Sequence, residues 1–181
     1  MESAEKIVEN YCRHIKHWFT VSNVICAGQY EIDIMAVEFP KVGPPRAYQI
    51  ESGVSLAGGF SKLTAESHSE EDRNVRVKAP SQRRTIGYFI ERKFGPKAIK
   101  ERIADFGLNP EEILKVIVAW GWEEQVKEIA DVHNITLWNF PALLNELAEA
   151  CAEGKTYFTD DTFNTLQLFM KSGYVPLRKN K

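Results

Sequence analysis

The stretch Ile113 to Trp120, ILKVIVAW, constrains this chain more than any other segment. It has the length of a strand and is almost wholly apolar. Strands of that kind are covered on both faces, which happens in parallel sheets sandwiched between helices. Helical spacing follows from Glu123 to Val132, with Val126, Ile129 and Ala130 inward, and Ile135 to Phe140 reads as a second strand. A strand–helix–strand unit of this size predicts a right-handed parallel crossover. Pro141 then opens a helix bearing Leu143, Leu144, Leu147 and Ala148, and a last helix runs over 160–171.

The first half has a different rhythm. Ala4, Val8, Tyr11, Ile15 and Trp18 recur at helical spacing and predict a helix from Ser3 to Phe19, with Glu9 pointing away from its apolar face. Three strands are predicted next: Val21–Ala27, Tyr30–Phe39 and Arg46–Val54. Their short connections, at Gly28 and at the turn Lys41-Val42-Gly43-Pro44-Pro45, argue for an antiparallel meander. A polar loop over 56–82 and two helices, 81–94 and 97–106, complete the order. The expected fold is thus a single α/β domain over 1–181, with a mixed sheet of five strands flanked by helices.

Three cysteines, Cys12, Cys26 and Cys151, lie far apart, and an odd number excludes a complete set of internal disulfides. The start of the chain lacks a signal-peptide pattern, and no apolar stretch is long enough to span a bilayer. These features make the cytoplasm the expected location. A net charge of −2 gives the whole molecule no pull toward nucleic acid or membrane, so charge placement matters more than the total.

The candidate chemistry is a pair of acids in neighbouring strands. Asp33 lies in YEIDI and Glu51 in YQIES. Side chains alternate along a strand, so Gln49 and Glu51 share a face, and a meander lets Asp33 and Glu51 converge. Carboxylates in apolar strands are costly unless paired, and two that face each other repel unless a metal or proton lies between them. A hard cation such as Mg²⁺ suits one or two carboxylates. The alternative is structural: both acids end strands and meet arginine or water.

The opening helix with Glu5, the segment GQYEIDI at 28–34, the strand YQIE at 48–51 and the strand–helix–strand–helix over 116–147 together resemble the PD-(D/E)XK, restriction-endonuclease-like, nuclease superfamily. The resemblance covers residues 3–150. It implies a nuclease acting on DNA or RNA with Mg²⁺ or Mn²⁺ held by Asp33 and Glu51, aided by the Ser52 carbonyl and by Glu5, and it implies a possible homodimer. The triplet reads Glu51-Ser52-Gly53, so glycine stands where the motif has lysine. Losing one such charge-stabilising contact typically costs about 10²–10³ in rate. Lys62 is the candidate substitute, with Lys78 and Arg83 as further possibilities. The same glycine motivates a second class of function: an inactive nuclease-like module that binds nucleic acid or a protein partner.

Between Arg73 and Arg102 ten basic residues face two acidic ones. Arg73, Arg76, Lys78, Arg83 and Arg84 are the candidate phosphate contacts; the alternative is a solvated helical face laced with ion pairs. His14 and His17 lack further ligands at metal spacing, and His68 falls in the polar loop.

Overall fold

The computed structural model describes residues 3–54, 62–68, 84–153 and 161–172. Its elements, in chain order, are α1 (Ser3–His14), β1 (Phe19–Ile25), β2 (Glu31–Glu38), β3 (Arg46–Ser52), α2 (Ile86–Tyr88), a π-helical turn (Phe89–Phe94), α3 (Lys97–Asp105), β4 (Leu114–Ala119), α4 (Glu124–Val132), β5 (Ile135–Asn139), α5 (Phe140–Glu153) and α6 (Asp161–Lys171). The chain groups into two compact units, 1–140 and 141–181. In the second, α5 and α6 carry the buried Leu143, Leu147, Cys151 and Phe163.

The first unit holds one open five-stranded sheet in the order β1-β2-β3-β4-β5. β1, β2 and β3 are antiparallel neighbours, whereas β3–β4 and β4–β5 are parallel, as the meander and crossover patterns predict. β3 is therefore the central strand and the place where the sheet changes direction. None of the described helices is long and apolar enough to cross a membrane.

Alternation assigns each residue of β3 a side. Tyr48 lies on the side of the chain leaving α1, where Trp18 stacks on it with ring centroids 4.2 Å apart and Tyr11 meets Trp138 of β5. The other side carries Ile117 and Ala119 of β4 and Ile135 of β5. These pack with Ile86, Phe89 and Phe94 of the helical segment and with Val126 and Ala130 of α4.

Several boundaries differ from the sequence reading, two of them for a local reason. α1 stops at His14, the Ile15 and Lys16 amides both donate to the Tyr11 carbonyl, and His17 takes a left-handed φ of 58°. This reversal moves Trp18 out of the helix and starts β1 at Phe19. The second helix begins at Ile86 because Thr85, in extended conformation, caps it by accepting from the Tyr88 amide at 3.1 Å. Glu9 is also corrected: it is 7% exposed, its Oε1 paired with Arg13 at 2.6 Å and accepting from the Thr20 hydroxyl at 3.0 Å. A buried carboxylate is tolerated there because both partners satisfy it.

Candidate functional site

In the β2–β3 ladder Ile34 pairs with Ile50 and Met35 with Gln49. The next step of that register sets Asp33 opposite Glu51, on one face of the sheet and at the end of the central strand. The Ser52 amide donates to Asp33 Oδ2 at 2.8 Å and fixes that carboxylate across the strands. The Gln49 side-chain amide donates to Glu51 Oε1 at 2.8 Å.

The cation that meets these acids is Lys93. Its Nζ lies 2.7 Å from Asp33 Oδ1 and 2.7 Å from Glu51 Oε2, and donates to the Glu31 carbonyl at 3.2 Å. Two of the three ammonium donors are hydrogen-bonded, to Asp33 and to the Glu31 carbonyl, while Glu51 Oε2 is held by charge alone. Gln49 also donates to the Lys93 carbonyl at 2.7 Å. Burial makes these contacts strong: side-chain exposure is 0% for Glu51, 9% for Asp33 and 18% for Lys93. Burial, reinforced by the Asp33 charge, raises the Glu51 pKa well above the carboxylate range, with Lys93 and Gln49 opposing the rise. Burial alone depresses the Lys93 pKa, but the charges of Glu51 and Asp33 outweigh it and leave that ammonium above the ordinary lysine value. The cluster thus brings two carboxyl groups and one ammonium into a space almost shut from water.

The π-helical turn explains how lysine reaches this point. Its wider winding puts residues five apart on one face, so Phe89 and Phe94 both enter the core at 2% and 5% exposure. Lys93 is carried beside them toward β2 and β3. Phe89 also accounts for the glycine of the Glu51-Ser52-Gly53 triplet. A Cβ on Gly53 would meet the Phe89 Cζ at 3.1 Å and the Val118 carbonyl oxygen at 3.5 Å. A side chain at 53 would therefore crowd the ring that precedes Lys93 by one turn.

The other predicted site residues fare differently. Lys62 is exposed and adjoins Gly121, and the lysine that meets the two acids is Lys93. Among the described residues no group of three or more His, Cys, Asp or Glu side chains is placed to hold a metal, so Glu5 on α1 does not join Asp33 and Glu51 as a third ligand. Ser52 is tied to the site by its amide. Arg73, Arg76, Lys78 and Arg83 lie outside the described residues. Arg84 is 9% exposed, with its carbonyl bound to the Thr64 amide, which corrects its reading as a surface phosphate contact.

The described remainder of the basic stretch follows the solvated-face alternative. Lys97 pairs with Glu101 at 3.1 Å, Lys100 with Glu111 at 2.8 Å and Arg102 with Asp105 at 3.4 Å, while Arg92 lies over the Tyr30 ring. Exposed pairs of this kind contribute little, about 0–1 kcal/mol each. His68 packs edge-on against Tyr88. All three cysteines are free and buried; burial, aided by the Glu9 charge, pushes the Cys12 thiol up to about 12, which makes it a packing residue rather than a nucleophile.

Sequence reasoning missed Lys93, Gln49 and Phe89 as members of the site. Two signals for them were present. Gln49 shares strand parity with Glu51, and Lys93 lies four residues after Phe89, on the apolar side of the predicted helix. Comparison with known proteins identifies no family model, no curated protein and no solved structure that matches this chain.

Proposed function

We propose that this chain is a metal-dependent phosphodiesterase of the nuclease class, built on a restriction-endonuclease-like core. Asp33 and Glu51 are its ligands for Mg²⁺ or Mn²⁺, and Lys93 is the cation that Gly53 does not supply. The observation that carries this reading is the Lys93 ammonium at 2.7 Å from both Asp33 and Glu51, which reunites two acids and one lysine at the end of the central strand. The donor set fits the ion: two hard oxygens converge on one point. Lys93 stands at that point, so cation binding requires its ammonium to swing aside toward the substrate.

A divalent ion held there would polarise the scissile phosphate and generate hydroxide from water. The chain's own residues do the rest. The Ser52 amide and the Gln49 side chain keep the two carboxylates in fixed rotamers. Lys93 sets a compact positive charge where negative charge grows on the phosphate oxygen. Substrate phosphates, of DNA or RNA, are assigned to Arg73, Arg76, Lys78 and Arg83, since the described basic residues of α3 already face acids.

One observation favours a second reading, an inactive module that binds nucleic acid or a protein partner: the Lys93 ammonium already pairs with both acids, so it neutralises them in place of a metal. Incubating the protein with linear, circular and single-stranded nucleic acid in Mg²⁺ or Mn²⁺ separates the two. The nuclease reading expects cleavage reduced at least about 10²-fold by Asp33→Ala, Glu51→Ala or Lys93→Met. Cleavage that persists in Asp33→Ala removes it. Absence of both cleavage and Mn²⁺ binding in the wild type supports the module.

A further inference from the structure

We infer that Gln49 is the positioning residue of this site, coupling the Glu51 carboxylate on β3 to the backbone of the π-helical turn that delivers Lys93. The inference deepens the nuclease reading and rests on it for its metal arm. Gln49 is 1% exposed, and its Nε2 spans two acceptors, Glu51 Oε1 at 2.8 Å and the Lys93 carbonyl at 2.7 Å. The Lys93 carbonyl can only accept, so the orientation of the amide is set by chemistry: nitrogen, not oxygen, must face it. The Lys93 carbonyl lies in the last turn before Gly95-Pro96, where helical carbonyls run out of amide partners. Gln49 satisfies that orphan and, through the same nitrogen, fixes the acid two residues along its own strand. One amide thereby sets the spacing between the strand bearing the acid and the turn bearing the cation. Outer partners of this kind typically govern metal affinity by about 10–100-fold.

Gln49→Met keeps the length and packing but removes both hydrogen bonds. Two readouts on the full chain are compared: the ¹H–¹⁵N signal of the Lys93 ammonium without metal, assigned by its loss in Lys93→Met, and Mn²⁺ affinity by calorimetry. The expected result is a shifted or broadened ammonium signal and Mn²⁺ affinity weaker by about 10–100-fold, in a protein that remains folded. If Gln49→Met does not fold, Gln49→Asn, one methylene too short to reach both acceptors, is read the same way. An ammonium signal unchanged in the folded variant overturns the inference, because a merely space-filling glutamine would leave Lys93 where it is. A displaced ammonium signal combined with no Mn²⁺ binding by the wild type upholds the positioning role and removes the metal reading beneath it.

Discussion

The ring of Phe89 stands 3.1 Å from the point where a side chain on Gly53 would begin. Phe89 and Lys93 belong to one helical turn, so the residue that blocks lysine at 53 and the residue that supplies lysine from elsewhere move together. Restoring the triplet by Gly53→Lys is therefore expected to destabilise the fold by about 1–3 kcal/mol, the usual cost of overpacking, without raising activity. Urea unfolding of the variant checks this; a protein as stable as wild type with higher turnover would contradict it.

Lys93→Met leaves two buried carboxyl groups with no counter-cation. Breaking a buried pair by removing one partner typically costs about 3–5 kcal/mol. The loss is expected to be larger at alkaline pH and smaller toward acid, where a proton on Glu51, whose pKa burial raises, takes over part of the neutralisation. Equilibrium unfolding of the variant as a function of pH, compared with wild type, tests both size and direction.

The wild-type protein should itself lose stability as pH rises through the raised Glu51 value. The folded state holds that proton above the ordinary carboxylate pKa of about 4.3, whereas the unfolded chain has released it. Between those two values the folded state binds more protons, so the slope of unfolding free energy against pH is negative, at most about 1.4 kcal/mol per pH unit for one proton. The stabilising share of Lys93, whose pKa is raised, is fully present below the ordinary lysine value and is lost only above it. Glu51→Gln should flatten the acid-side slope; an unchanged slope assigns it to another group.

Divalent ions should stabilise the fold if the acids hold them. At about 100 times its dissociation constant a ligand specific to the folded state adds about 2.7 kcal/mol. Thermal unfolding with and without Mn²⁺ is the measurement, with Asp33→Ala as the control expected to abolish the gain. A gain that survives in the control places the ion elsewhere.

The framework of this fold was legible because its signals are periodic. Ile113–Trp120 announced a doubly covered strand, and the tight connections after β1 and β2 announced the meander. The acid pair was legible through strand parity alone. Lys93 was legible only as a lysine on the apolar side of a helix; its contact with Glu51, 42 residues away, depends on a tertiary approach that no local pattern encodes. The basic stretch misled in the opposite sense: its charges sit close in sequence, yet Glu101, Asp105 and Glu111 neutralise several of them in space.

The acids and the lysine occupy mechanically unequal ground. β3 is hydrogen-bonded to a neighbour on each side, so the backbone behind Glu51 can yield only if the whole sheet opens. The turn behind Lys93 is short, irregularly wound and halted by Gly95-Pro96. Any breathing that admits a cation or a phosphate must therefore come from the helical side. Amide exchange should report this as a stationary anvil at 49–52 struck by a looser arm at 89–94.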